Sequence, residues 1–67
     1  MNIFVNNQPV AIDDSRSSIS DLISFLELPD KGVAIGVNNK IVKAKDWTAF
    51  SLKEGDRVTV IKATYGG

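Results

Sequence analysis

The stretch that decides the fold is residues 18–29, SISDLISFLELP. Its apolar residues recur at i, i+3, i+4 and i+7 and form one stripe about two turns long: Ile19, Leu22, Ile23 and Leu26. Ser18 is a good N-cap, and Asp21 follows three residues later in a capping-box-like spacing. Pro29 ends the pattern, because the residue before a proline is rarely helical. The sequence therefore predicts a helix over roughly residues 18–28.

A strand hairpin is predicted before this helix. In residues 1–6, MNIFVN, Ile3 and Val5 alternate with polar or outward-facing neighbours, which is strand periodicity. The following NNQP supplies turn residues, since asparagine tolerates positive φ, and PVAI then resumes an extended run. Pro9 favours an edge position for the second strand, because proline has no N–H to donate.

A second pair of strands is predicted after the helix. GVAIGVN at 32–38 alternates as a third strand, NNK provides a hairpin turn, and IVK at 41–43 is a short fourth strand. Residues 44–52 have no clear period and are predicted to be a loop with one helical turn. The apolar residues of this loop are expected to cover the open end of the core rather than to form a ligand cage: Trp47, Phe50 and Leu52.

A fifth strand closes the pattern. KEGD at 53–56 is a turn in which Gly55 takes the positive φ, and RVTVIKA at 57–63 is almost continuously β-forming, which suits a central strand. One helix packed across a mixed sheet would bury both apolar stripes, with the first and last strands as parallel central neighbours. This ββ-α-ββ-β order is that of the β-grasp, or ubiquitin-like, fold of the α+β class. Residues 1–63 are expected to form a single domain and residues 64–67 a flexible C-terminal tail.

Composition excludes most catalytic chemistry. The 67 residues contain neither cysteine nor histidine, so a Ser-His or Cys-His nucleophile, a thiolate or imidazole zinc site and a disulfide are all excluded. The sequence has no stripe of aromatic and basic residues of the kind that binds nucleic acid. No run approaches the ~20 apolar residues of a membrane span, and no signal peptide is visible. We expect a cytoplasmic protein that is not itself an enzyme and binds no metal or cofactor.

Charge is unevenly distributed along the chain. The net charge is zero, but residues 1–30 carry a balance of −4 and residues 31–67 a balance of +4. Two interpretations stay open: two solvated faces that keep the domain in solution, or a dipolar surface that orients it on a protein partner.

The remaining chemical group is at the C-terminus, IKATYGG at 61–67. A terminal carboxylate is anionic at pH 7, so it can attack an activated phosphorus or be activated itself. Without a Cβ, glycine can enter a narrow channel, and the four residues from Thr64 onward reach about 13–14 Å when extended. Gly67 is therefore the candidate reacting residue, and Tyr65 and Gly66 are candidates for entering a partner's active site.

A partner-binding face is predicted on the outer side of the sheet. If Ile3, Val5, Val58 and Val60 face the helix, strand alternation places another set on the opposite side: Phe4, Ala34, Gly36, Thr59, Ile61 and Ala63. An exposed apolar patch of this kind is typical of an interaction site, although these residues could also merely cover a sheet face.

Four segments resemble the ubiquitin-like sulfur-carrier proteins, and most closely the thiamin-biosynthesis carriers of the ThiS family. They are AIGVNNKIV at 34–42, the tryptophan of KDW at 45–47, LKEGDRV at 52–58 and the terminal GG, and the similarity covers nearly the whole chain. VKAK at 42–45 departs from the Val-Pro-Arg-like step common in thiamin carriers. In ubiquitin-like proteins the residue six before the terminal glycine lies at the centre of the binding face, which here is Ile61.

The resemblance implies a cycle in which the chain is a protein substrate. An E1-like adenylyltransferase, using ATP and Mg²⁺, would convert the Gly67 carboxylate to an acyl-adenylate. Sulfur from cysteine, supplied through a desulfurase, would displace AMP to give a thiocarboxylate, and thiazole synthase would take that sulfur. The carrier alone would be a monomer, with no nucleic-acid or membrane partner.

Three other functions stay open at this point. The sulfur could go to molybdopterin synthase or another acceptor, the chain could be a non-catalytic β-grasp binding module with an inert tail, or it could be a conjugated modifier.

Overall fold

A computed structural model describes residues 1–29 and 31–62. Its elements in chain order are β1 (Asn2–Val5), β2 (Gln8–Ala11), α1 (Ile19–Phe25), β3 (Val33–Val37), β4 (Lys40–Val42), a short 3₁₀ turn (Ala44–Asp46) and β5 (Arg57–Lys62). The predicted order of strands and helix is confirmed. Ala63, which the sequence placed in the last strand, and the predicted tail at 64–67 lie outside the described residues.

The five strands form one mixed sheet in the order β2-β1-β5-β3-β4. β1 and β5 are parallel neighbours, with Phe4 opposite Arg57 and Val5 opposite Val58, and the other pairs are antiparallel. Pro9 lies on the edge strand β2, as predicted. β4 begins and ends one residue earlier than the predicted 41–43.

Turn chemistry sets both hairpins. Asn6 and Asn7 have φ of 50° and 69°, and Asn38 and Asn39 have φ of 50° and 70°, so each hairpin turns through two left-handed asparagines, the signature of a type I′ turn. Gly55 takes a φ of 81° in the turn before β5. Asparagine and glycine, the residue types that most readily adopt positive φ, thus occupy the positions where the chain reverses direction.

The core lies between α1 and one face of the sheet. The stripe on α1 packs against the inward residues of the strands, and the buried set is Ile3, Val5, Ile19, Leu22, Ile23, Ile35, Val37, Val42, Trp47, Leu52 and Val58. Trp47 and Leu52 close the end of this core, Phe50 packs beside them, and the indole N–H of Trp47 donates to the Val42 carbonyl at 2.9 Å. The covering role predicted for this loop is confirmed.

The start of α1 is capped as predicted. The Ser18 hydroxyl accepts from the Asp21 N–H at 3.0 Å, and the Asp21 carboxylate accepts from the Ser18 N–H at 3.3 Å. This reciprocal capping box satisfies two backbone donors that the first helical turn leaves without partners.

The predicted end of the helix at residue 28 is wrong. α1 ends at Phe25, because the Leu28 N–H donates to the Ile23 carbonyl at 3.0 Å and the Glu27 N–H to the Ser24 carbonyl at 3.1 Å. These two bonds form a Schellman motif, with Glu27 in the left-handed conformation at φ 57°. The chain has therefore left the helix before it reaches the proline.

Glu27→Gly is expected to stabilise the protein by about 0.5–1 kcal/mol. An L-residue in the left-handed conformation costs roughly 1–2 kcal/mol, and glycine removes this strain. Part of the gain is lost because glycine has more conformational freedom in the unfolded chain. Urea denaturation followed by far-UV circular dichroism measures the shift. Ser24→Gly, an exposed glycine inside the same helix, is the matched control and is expected to destabilise; equal effects of the two variants would contradict the left-handed cap.

Candidate functional site

The face of the sheet opposite α1 carries three rows of residues across neighbouring strands. Strand register places Pro9, Phe4 and Arg57 in the first row, Thr59, Gly36 and Ile41 in the second, and Ile61 and Ala34 in the third. Because side chains alternate along a strand and the intervening residues face the core, all eight lie on one side. We call this surface the outer face.

Most of the predicted partner-binding residues are on the outer face and exposed. This holds for Phe4, Ala34, Thr59 and Ile61. Gly36 lies on this side but is buried, so it offers no surface of its own. Ala63 falls outside the described residues.

The outer face exposes three large apolar side chains. Ile41, Ile61 and Phe4 expose 68%, 53% and 39% of their surface, which is unusual for large apolar side chains. The Arg57 guanidinium lies 5.9 Å from the centre of the Phe4 ring, so a cation covers part of that ring. An exposed apolar patch bordered by polar groups is typical of a protein-interaction site.

Ile41 is a residue that the sequence-based prediction of this face missed. It pairs with Gly36 on β3, and its Cδ1 lies 3.8 Å from the point where a Cβ on Gly36 would stand. The side chain therefore leans over the glycine, which explains why Gly36 is buried. Alternation could have found it: with Val42 directed into the core, Ile41 must face outward.

β5 connects the outer face with the C-terminal residues. Its outward residues contribute to all three rows, and the strand ends at Lys62 within the described residues. Five residues follow, among them the predicted tail residues Tyr65, Gly66 and Gly67, which lie outside the described part of the chain. Residue 67 is thus connected to the central strand β5 through the residues that follow Lys62, the neighbour of Ile61 in the sequence.

Charges of opposite sign flank the two edges of the sheet. Asp13 and Asp14 follow the edge strand β2, while three lysines surround the other edge strand, β4: Lys40, Lys43 and Lys45. These lysines, together with Ile41, line an open groove of about 580 Å³. These aspartates and lysines thus lie at opposite edges of the sheet, with Asp46 also lining the groove, and the lysines adjoin the outer face at Ile41.

The shifted pKa values among the described residues lie near β2, away from the outer face. Hydrogen bonds from the Ser15 N–H and hydroxyl hold the pKa of Asp13 below its usual range. The Met1 amino group donates to Asp14 at 2.6 Å, and this hydrogen bond raises the pKa of the amine. These contacts order the exposed loop before α1, and neither forms part of the candidate site.

Within residues 1–29 and 31–62, no group of three metal-ligating side chains is close enough to hold an ion. Over the same part of the chain, α1 is far too short and too polar to cross a membrane. What the described residues offer is the partly apolar outer face and a strand that leads towards the C-terminal residues.

These features define the class of protein. A five-stranded mixed sheet, with its first and last strands parallel and adjacent and a single helix packed across one face, is the β-grasp arrangement. The chain is a small ubiquitin-like protein.

Comparison with known proteins gives the family. The family model of the ThiS family matches residues 2–67, and the chain belongs to that family. Membership of the family to which the sequence motifs pointed is thereby confirmed.

Two solved structures show the same fold over the full length of the chain. The crystal structure of the thiamine biosynthesis protein ThiS from Geobacter metallireducens is 28% identical, with a TM-score of 0.82 and complete coverage of both chains. The NMR solution structure of a thiamine biosynthesis protein from the same organism is also 28% identical, with a TM-score of 0.80, and covers all of this chain and 88% of that one. No curated protein gives a significant sequence match.

Proposed function

We propose that this protein is a sulfur carrier in thiamin biosynthesis and that it carries sulfur as a thiocarboxylate at Gly67. The observation that carries the proposal is the reach of the ThiS family match, which continues through Gly66 and Gly67 to the last residue. In this proposal residues 1–63 are the docking domain and residues 64–67 the tail that enters partner active sites.

Activation is the first step of the proposed cycle. A carboxylate oxygen of Gly67 attacks the α-phosphorus of ATP on an E1-like adenylyltransferase, and pyrophosphate leaves with Mg²⁺. The product is an acyl-adenylate, in which AMP is a good leaving group. Activation is needed because an anionic carboxylate is a poor electrophile.

Sulfur transfer follows. A sulfur nucleophile derived from cysteine through a desulfurase attacks the Gly67 carbonyl carbon, a C–S bond forms, and the C–O bond to AMP breaks. If the sulfur arrives as a persulfide, a thiol reductant cleaves the S–S bond with two electrons and leaves the thiocarboxylate. Thiazole synthase then accepts the sulfur. The carrier is a co-substrate, so ATP, Mg²⁺ and the catalytic groups belong to its cytoplasmic partner enzymes.

Docking supports this chemistry. The outer face presents Phe4, Ile41 and Ile61 around β5, and from Lys62 the five remaining residues reach at most about 17 Å when extended. A partner that binds the outer face would therefore have its active site within that distance of Lys62. Tyr65 and Gly66 would occupy the channel that leads to the partner's active site, where glycine allows the partner's backbone to approach closely.

Deleting Gly67 is expected to abolish both AMP and sulfur attachment and to leave the unfolding midpoint unchanged. Purified chain is incubated with an E1-like adenylyltransferase from a thiamin operon, ATP and Mg²⁺, and intact mass is recorded. The full-length chain should show the AMP adduct and, with a desulfurase and cysteine, a species heavier by the sulfur-for-oxygen difference. An adduct on the shortened chain, or none on the full-length chain, would contradict the proposal.

The acceptor is tested separately. Thiocarboxylated carrier is given to thiazole synthase or to molybdopterin synthase, and loss of the sulfur-bearing mass is followed. Transfer to thiazole synthase alone is expected.

A further inference from the structure

We propose that Asn6 is a positioning residue for the C-terminal tail. Its side chain extends the sheet where β1 ends and holds β5 at Val60, shortly before the residues that lead to the tail. This inference rests on the proposed function, in which the tail must enter a partner's active site.

The ladder between β1 and β5 stops early. Its last pair is Val5 with Val58, and the Asn6 N–H donates to the Val58 carbonyl at 2.9 Å. At Asn6 the backbone turns into the first hairpin, with φ of 50°, and leaves the sheet. β5 nevertheless continues for four residues beyond Val58.

The side-chain carboxamide of Asn6 forms hydrogen bonds with β5 at the point where the backbone of β1 leaves the sheet. Its Oδ1 accepts from the Val60 N–H at 2.9 Å, and its Nδ2 donates to the Val60 carbonyl at 3.3 Å. A side-chain amide carries the same donor and acceptor as a peptide group, so Asn6 acts as one more residue of β1. Both polar backbone groups of Val60 are satisfied by this one side chain.

The contact lies next to the segment that the proposed chemistry uses. On its other side β5 pairs with β3 as far as Lys62, opposite Val33. On the β1 side, Asn6 makes the last hydrogen bonds to β5 among the described residues. Without them the described part of β5 would have no partner on the β1 side from Val60 onward instead of from Ile61 onward, so one more residue would have to be ordered each time the tail enters an active site.

The second hairpin contains a matched contact at the opposite end of the same strand. Asn38 also begins an asparagine pair with φ of 50°, its Oδ1 accepts from the Arg57 N–H at 3.0 Å, and its Nδ2 donates to Asp56 at 3.1 Å. One turn asparagine thus holds the first residue of β5, Arg57, and the other holds Val60 in its second half. Only the half held by Asn6 leads to the tail, which makes Asn38 the control.

Two variants separate positioning from general stability. Asn6→Gly and Asn38→Gly both keep a residue that accepts positive φ and both remove the side-chain contact with β5. Amide hydrogen exchange in the free protein should accelerate at Val60 in Asn6→Gly and at Arg57 in Asn38→Gly. In the adenylylation assay, Asn6→Gly should raise the KM for the carrier about tenfold, the effect of one additional residue to order, with kcat within about twofold. Asn38→Gly should leave both constants within about twofold.

Asn6→Asp provides an independent variant should the glycine variant fold poorly. It keeps the acceptor for the Val60 N–H but sets a carboxylate oxygen against the Val60 carbonyl, so KM should rise here as well. Unchanged exchange at Val60 in both Asn6 variants would overturn the contact itself. The positioning role alone would be overturned if the wild-type chain is adenylylated normally and KM is unchanged in both Asn6 variants. An equal rise of KM in Asn38→Gly would overturn it as well. Failure of the wild-type chain to be adenylylated would refute the proposed function and the positioning role with it.

Discussion

Ile61→Asp is expected to weaken binding to the adenylyltransferase by roughly 30-fold or more while the protein stays folded. Ile61 exposes 53% of its surface on the outer face, and residues at the centre of an interface commonly contribute 2 kcal/mol or more. A carboxylate at this point would also have to be desolvated against an apolar partner surface. Isothermal titration calorimetry with the adenylyltransferase measures the change.

Phe25→Asp is the matched control for this prediction. Phe25 is 62% exposed, more than Ile61, but it lies on α1, on the other side of the sheet. The same exchange of a large apolar side chain for a carboxylate should leave binding unchanged there. Ile41→Asp should fall between the two, because Ile41 is on the outer face but at the sheet's edge. Equal losses from Ile61→Asp and Phe25→Asp would contradict the assignment of the docking face.

Trp47→Ala is expected to destabilise the protein by about 3–5 kcal/mol, the usual cost of removing a large buried aromatic side chain. Trp47 is only 8% exposed and closes one end of the core. At about 0.05–0.15 kcal/mol per residue a chain of this length has only some 3–10 kcal/mol in total, so a large unfolded fraction is expected. Urea denaturation should be followed by far-UV circular dichroism, because the substitution removes the single tryptophan of the chain.

Trp47→Phe separates packing from hydrogen bonding. Phenylalanine keeps an aromatic ring in the core but loses the 2.9 Å bond to the Val42 carbonyl, so a smaller loss, about 1–2 kcal/mol, is expected. Phe25→Ala, at an exposed site, should stay within about 0.5 kcal/mol of the wild type. A loss from Trp47→Ala no larger than that control would show that the loop does not close the core.

The sequence was sufficient for the fold because each element is marked by a local signal. The spacing of Ile19, Leu22 and Ile23 predicts the buried face of α1, and the capping box predicts its first turn. Asparagine pairs mark both hairpin turns, and Pro9 marks an edge strand. Where local preference and tertiary packing agree in this way, prediction from one sequence succeeds.

The end of α1 shows where local signals fail. Glu27 takes a conformation that L-residues avoid, and no residue type in that stretch announces it. The tertiary packing of Leu28, which lies against the core, and its bond back to Ile23 favour this turn. The proline, which did suggest a stop, lies beyond the point where the helix ends.

The candidate site was predicted in part. Alternation gave the outer face around Phe4 and Ile61, whereas Ile41 was missed because the sequence alone did not show that its neighbour Val42 faces the core. The contacts of Asn6 and Asn38 with β5 depend on strand register, which one sequence does not specify. The tail residues Tyr65, Gly66 and Gly67 remain predictions from motif and family.

The position of β5 has a consequence for how the protein is made. Among the described residues, β5 is the last strand in the chain, yet it lies in the middle of the sheet, between β1 and β3, and joins two hairpins that have no other sheet contact with each other. An isolated two-stranded hairpin is marginally stable at best in water. A chain that stops before β5 lacks the strand that joins the two hairpins, and we expect it to be unable to assemble the native sheet and to be degraded readily by proteases.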